Sequence, residues 1–296
     1  MRWERYSTLT KHQTLPKQKS LLMSSVVAIY RDERFSPNSV KNDRSILDAV
    51  LSKLHRHDVV AISEQQLNEQ HRAALYLSMG RLPRTIKLLK QFEYQNQAIV
   101  LNNAKALESF SRSHIHCVMQ ENGIAMPPEE GTRGYWVKRA DFAAQTQDDV
   151  VYCKDKAEVD KTKEQFAQRG VHNLVVSAHV EGDLVKFYGV ADSFFWHFYP
   201  TDTGHSKFGD EQHNGSAHHY PFNVQQLRHT VARLASLTGI DVYGGDCIIN
   251  SDGRFFIIDF NDWPSFSPCC EQAAECIAHL ANQLLATQTT RKITHE

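Results

Sequence analysis

The sequence predicts a mixed fold, a small parallel α/β lobe followed by two α+β lobes, and three observations predict it. Short apolar, β-branched runs alternate with helically spaced segments between residues 24 and 106, the pattern of a parallel sheet. Strand-like runs then gather between Tyr135 and Val190 around a single helical stretch. Two longer apolar runs, Asp241 to Asn250 and Arg254 to Phe260, are joined by Ser251-Asp252-Gly253, a hairpin signal.

The elements follow in order. Residues 1 to 23 are polar and lack either periodicity, so they are expected to form a flexible extension, and Met23 is an alternative start. The first lobe, 24–106, opens with the strand Ser25 to Tyr30, a helix from Ser45 to Leu54, a strand Val59 to Ile62, a helix Thr85 to Phe92 and a third strand Ala98 to Leu101. A small lobe, 107–180, begins with a helix Leu107 to Glu121 that Asn122-Gly123 stops. It continues with strands at Tyr135 to Lys138, Val150 to Tyr152 and Leu174 to Val176, with a helix Ala157 to Arg169 between the last two. The large lobe, 181–296, holds a strand Leu184 to Val190, a Gly- and His-rich loop from Pro200 to Ala217, an amphipathic helix Asn223 to Thr238 and the hairpin.

Composition excludes several functions. The 296 residues suffice for more than one lobe, and Lys+Arg 33 against Asp+Glu 34 gives no basic field for nucleic acid. The longest apolar run falls short of 18 residues and the mean hydropathy is negative, which predicts a protein without membrane association. Six cysteines lack a CxxC pair and follow no secretory segment, so reduced thiols in the cytoplasm are expected.

Chemistry concentrates in Gly244-Gly245-Asp246 and Asp259-Phe260-Asn261. Asp259 and Asn261 are two apart, so on a strand they share a face, and the hairpin can fold Asp246 beside them. Two carboxylates and an amide oxygen form a hard-oxygen set suited to Mg²⁺ in company with phosphates, whereas zinc would call for His or Cys. The alternative is that these residues merely end strands and start a turn.

The order Asp246, hairpin, then Asp259-Phe260-Asn261-Asp262-Trp263-Pro264 resembles the metal-binding end of ATP-grasp ligases, among them glutathione synthetases and ribosomal-protein glutamate ligases. The resemblance spans roughly residues 26 to 285 and implies an ATP-grasp fold. It implies ATP and Mg²⁺, with Mn²⁺ as a substitute, held by Asp246, Asp259 and Asn261. Trp136-Val137-Lys138 is similar to the strand whose lysine reaches the phosphates. Val175 to Asp183 is similar to the interlobe hinge, which implies adenine against Ala178 and Val180, and ribose on either Glu181 or Asp183. Lys186 would face the phosphates or the substrate. His213-Asn214-Gly215 stands where the family carries a loop lining the phosphoryl-transfer site, with Asn214 its polar side chain, and a plain His-rich surface loop is the alternative. His114, His116, His218 and His219 read as surface histidines. Phe35-Ser36-Pro37-Asn38 also resembles a family segment, with Asn38 as a helix or turn cap the simpler reading.

Three departures accompany the resemblance. Arg112 stands where the family's first phosphate lysine is expected; Arg139 to Asp149 contains no glycine where a Gly-rich flap is usual; and Pro128 to Tyr135 is a short connection. The implied function is an ATP- and Mg²⁺-dependent ligase joining a small-molecule carboxylate to an amine, thiol or peptide acceptor through an acylphosphate. Lys138 and Asn214 would serve the transfer. A kinase of the inositol-phosphate type and a non-catalytic nucleotide-binding protein are the alternatives, and a homo-oligomer is left open.

Overall fold

A computed structural model describes residues 24–141, 146–202 and 211–293. The expected extension at 1–23 and the middle of the Pro200 to Ala217 loop lie outside the described residues, as does part of the glycine-free segment after Lys138.

Three sheets organise the chain. The first is wholly parallel and has four strands: β1 (Ser24–Tyr30), β2 (Val59–Ser63), β3 (Ala73–Ser78) and β4 (Ile99–Leu101), in the order β2-β1-β3-β4. Its strands are apolar on both faces because helices cover both. Helix α1 (Val40–Lys53) lies on one side, and α2 (Pro83–Asn96) packs with Leu89 and Phe92 on the other. The sequence reading lacked β3, whose Ala-Ala-Leu-Tyr-Leu-Ser favours a helix by propensity. Its position between β1 and β4, with five of six residues buried, overrides that preference. Ser39, not Asn38, occupies the N-cap of α1, so the cap expected at Asn38 is displaced by one residue.

The expected Leu107 to Glu121 helix is two helices, α3 (Ala104–Ser109) and α4 (Arg112–Glu121). Ser111 explains the break: its hydroxyl accepts the N–H of His114 at 3.2 Å, capping a new helix, while Phe110 leaves helical geometry and packs toward Phe260. Arg112 thereby becomes the first residue of α4.

The second sheet is antiparallel, β6-β5-β7, from β5 (Tyr135–Arg139), β6 (Val150–Cys153) and β7 (Leu174–Ala178). Helix α5 (Lys156–Gln168), capped by Asp155, closes a separate small core of Tyr135, Val137, Val159 and Phe166. The third sheet, β11-β10-β8-β9, comprises β8 (Asp183–Val190), β9 (Phe194–Phe198), β10 (Val242–Ile249) and β11 (Phe255–Asp262). The edge strand β9 went unread because its aromatic run shows no alternation, and every residue in it is half-buried. A one-turn helix α6 (Glu211–Asn214) precedes α7 (Val224–Thr238), which packs with α4 on the inner face of this sheet.

The last helix, α8 (Cys270–Ile293), was also unread. Its buried positions 273, 274, 277, 278, 281 and 285 are helically spaced, but most are alanines, which carry little hydropathy. It packs on α1, so the end of the chain completes the core of the first lobe. None of the six cysteines is disulfide-bonded, and no helix among the described residues is long and apolar enough to cross a membrane.

Candidate active site

Register brings the acids together. Asp246 on β10 lies directly across from Asp259 on β11, and on its other side from Lys186 on β8. Gly245 permits this approach, since a Cβ there would stand 2.2 Å from the Asp259 carbonyl oxygen. Asn261, two residues beyond Asp259, donates from Nδ2 to Asp259 Oδ2 at 3.1 Å, so the period-two expectation holds in space.

Cations surround the carboxylates. Lys186 Nζ donates to Asp246 Oδ1 at 2.6 Å, and Arg112 Nη2 to Asp259 Oδ1 at 3.3 Å. Burial opposes a charge on Lys186, but Asp246 outweighs it and pushes the ammonium up to about 12. Burial likewise would raise Asp259, yet the charges of Arg112 and Lys138 hold its carboxyl below the usual range. Asp259 is therefore an anion that local cations keep charged.

A bulge aligns the second cation. The β10–β11 register shifts after Asp246, pairing Cys247 with Ile257 and leaving Ile258 outside the ladder. Its carbonyl accepts instead from Lys138 Nζ at 3.0 Å, which carries the lysine of the second sheet across to the third. Arg112 adds a hydrogen bond to the Arg139 carbonyl, and so touches both sheets.

Arg112, Lys138, Ala178, Val180, Asn214, Asp246 and Asp259 line one cleft between these sheets. In this conformation it holds about 40 Å³ of open space, room for about one water. Trp136 and His179 form its aromatic wall, Trp136 Nε1 donating to His179 Nδ1 at 3.1 Å, with His213 stacked on Tyr152 at 3.8 Å. Burial, and then the neighbouring His213, lower the basicity of His179. Neither Trp136 nor His179 was singled out from sequence, although both flank residues that were.

The remaining expected residues stand differently. Asn214 sits at the hinge, where its Oδ1 accepts the N–H of Gly182 at 3.2 Å. Asp183 is 2% exposed, and its carboxylate is engaged by the backbone N–H groups of His218 and Tyr220, holding the following loop. Of the two acids considered for ribose, Glu181 is the exposed one, paired with Arg133 at 3.4 Å. Lys186 and Asn261 reach the cleft through their bonds to Asp246 and Asp259.

The donor set suits a hard divalent cation. Asp246, Asp259 and the Asn261 amide supply oxygen only, and no group of three or more His, Cys, Asp or Glu side chains among the described residues could hold an ion. A cation here would complete its shell with amide, phosphate or water oxygen, as Mg²⁺ does.

One cluster escaped the sequence reading altogether. Arg31 and Arg81 follow β1 and β3 at their carboxyl ends and converge on Asp262 and Trp263. In parallel sheets that end is where ligands bind, so recognising β3 would have flagged Arg81.

By sequence, no protein-family model matches the chain and no curated protein is similar to it. Its fold is similar to several solved structures. The ATP-grasp ligase PsnB, complexed with a minimal precursor, Mg and ADP, has a TM-score of 0.57 at 13% identity, covering 89% of this chain and 99% of that one. A RimK domain ATP-grasp protein from Sphaerobacter thermophilus reaches 0.59 at 14% identity over 86% and 98% of the two chains. The D-alanine-D-alanine ligase from Coxiella burnetii reaches 0.59 at 10% identity over 91% and 99%. The chain has the ATP-grasp fold, with its parallel sheet and two antiparallel sheets in the arrangement that the resemblance implied.

Proposed function

We propose that this ATP-grasp protein is an ATP- and Mg²⁺-dependent ligase that joins a small-molecule carboxylate to an amine or thiol through an acylphosphate. The observation that carries the proposal is the cross-strand pair Asp246–Asp259 with Asn261, flanked by Lys138, Lys186 and Arg112 in the cleft between two sheets. That the similar PsnB structure is a complex with Mg and ADP supports the same reading.

The two carboxylates and Asn261 would hold Mg²⁺, which would supply charge neutralisation for the phosphates. Lys138 from β5 and Arg112 from the start of α4 position the transferring phosphoryl group and offset its charge. Lys186 orients Asp246 through its hydrogen bond to Oδ1. The backbone at Ala178 and Val180 lies where adenine would be read, with Glu181 the acid available to ribose. The cleft is too narrow for a nucleotide as it stands, so binding requires the small lobe to swing away from the large sheet. Its return would exclude water from an acylphosphate.

The test begins with thermal shift. ATP with Mg²⁺ at about 100 times its dissociation constant should add about 2.7 kcal/mol. Asp259→Asn and Lys138→Ala should then abolish ADP release with candidate carboxylate and amine pairs while leaving the circular-dichroism spectrum unchanged. A shift no larger than sodium chloride produces would refute nucleotide binding. A phosphorylated product with no condensed product would make the protein a kinase.

A further inference from the structure

One guanidinium serves two contacts at the centre of the cleft. Arg112 opens α4, whose Ile115 and Met119 pack into the core of the large sheet, so its backbone is fixed to that body. From there Nη2 donates to Asp259 Oδ1 at 3.3 Å, and Nη1 donates to the carbonyl of Arg139 at the end of β5. The first bond lies on an acid assigned to the metal. The second lies on the sheet that must move before a nucleotide can enter.

The second sheet docks beside this residue through polar bonds. Lys138 Nζ donates to the Ile258 carbonyl at 3.0 Å, the Ser113 N–H to the Ala140 carbonyl at 3.5 Å, and Asn173 Nδ2 to Ser113 Oγ at 3.2 Å. These bonds and the one from Arg112 to Arg139 gather where the start of α4 meets the end of β5. A contact made of polar groups exchanges partners more readily than a packed core does.

The two bonds of Arg112 are tied to each other, because a guanidinium is a planar fork whose donors keep fixed directions. A divalent cation on Asp259 repels Arg112 and takes the carboxylate oxygen that Arg112 holds. Turning the fork away from Asp259 then carries Nη1 away from Arg139. Arg112 Nε, moreover, is buried and has no hydrogen-bond partner among the described residues. A buried cationic donor left unpaired opposes the arrangement that strands it, so this seat of the side chain is poised to be left. A phosphate oxygen reached after the turn would supply the missing acceptor.

We propose that Arg112 is a latch that competes with a divalent cation for Asp259: cation binding there breaks the Arg112–Arg139 bond and frees the second sheet for nucleotide entry. The linkage is reciprocal, so whatever loosens the docked sheet also raises the affinity of the acids for the cation. In this role Arg112 is a positioning residue, acting through Asp259 and Arg139. The latch rests on the metal reading of Asp246, Asp259 and Asn261 and adds a regulation to that site.

Titration of the full chain with Mn²⁺ and no nucleotide tests the latch, the free aqua ion being measured by electron paramagnetic resonance. Arg112→Gln should bind Mn²⁺ about tenfold or more tightly than wild type, and Asp259→Asn should lose the binding. Removing any nearby positive charge strengthens a cation site, so two further variants separate latch from charge. Arg112→Lys keeps the charge but loses the fork, and Asn173→Ala removes an exposed, neutral side chain that only helps to dock the sheet. Each should bind Mn²⁺ about threefold more tightly than wild type, with its circular-dichroism spectrum unchanged. Small-angle scattering gives a second readout: Mn²⁺ should increase the radius of gyration of wild-type protein, and Arg112→Gln should be expanded before any is added. Wild-type Mn²⁺ affinity in folded Arg112→Lys or Asn173→Ala overturns the latch, as does scattering that neither Mn²⁺ nor Arg112→Gln changes; both results leave the metal reading standing. Mn²⁺ binding that survives in Asp259→Asn removes the metal reading and the latch together. Absence of Mn²⁺ binding in every variant overturns the latch, while a melting shift with ATP and Mg²⁺ would keep the nucleotide reading.

Discussion

The large lobe meets its two neighbours in opposite ways. Against the first lobe it shares one continuous core, in which Ile46, Leu47 and Val50 of α1 pack with Trp263, Phe266, Val242 and the alanine stripe of α8. Buried polar bonds fix the join: Asn102 Nδ2 donates to the Val242 carbonyl at 2.8 Å, its Oδ1 accepts the Val242 N–H at 2.7 Å, and Trp263 Nε1 donates to the Leu101 carbonyl at 3.1 Å. The second sheet with α5 keeps a core of its own, whereas α4 packs into the core of the large sheet, and the second sheet touches these two mainly through polar groups, notably Lys138 to the Ile258 carbonyl and Asn173 to Ser113 of α4. A dry shared core cannot shear without opening cavities, whereas a polar contact can exchange partners with a ligand. The first boundary is therefore a fixed wall, and the second is the one a nucleotide would open.

The strongest way to break this contrast is at the shared core. Trp263→Ala, which empties a site with no solvent exposure, should cost about 3–5 kcal/mol in urea unfolding. A loss below about 1 kcal/mol would mean that the two lobes do not form one body. Asn102→Ala should cost about 2 kcal/mol, because both backbone groups of Val242 are left without their side-chain partners. Equal cooperativity in both variants, read from unchanged urea m-values, would keep the two-lobe unit intact.

Hydrogen exchange sharpens the other side. ATP with Mg²⁺ should slow exchange in β5 and β7 and at residues 211–217, and leave β1 and β10 nearly unaffected, since those are protected already. Uniform slowing across all three sheets would place the moving boundary elsewhere.

The smallest expected effect is on pH dependence. His179 is buried in the small-lobe wall, and burial lowers its basicity below the ordinary histidine value of about 6.5. Between these two values the unfolded chain binds a proton that the folded chain refuses, so stability is complete above the unfolded value and declines as pH falls below it. His179→Asn, which retains an acceptor for Trp136, should reduce that acid-side slope. His116, His197 and His213 are also lowered by burial, so part of the slope should persist. An identical slope in the variant would assign the acid sensitivity to those histidines alone.

Sequence by itself determined the parts whose meaning is local. Hairpin chemistry at Ser251-Asp252-Gly253, the period-two spacing of Asp259 and Asn261 and the β/α alternation of the first lobe each depend on residues close together in the chain, and each is found in the structure. Tertiary structure decided what depends on distant packing. Ala73 to Ser78 is a strand only because β1 and β4 flank it, and α8 completes a core begun more than 200 residues earlier. Asp183 was a reasonable ribose acid on sequence grounds, yet the fold spends its carboxylate on two backbone N–H groups. The Arg81–Asp262 pair joins residues 181 positions apart. No local pattern encodes such a pair, because its partners meet only after the parallel sheet and the hairpin have packed together.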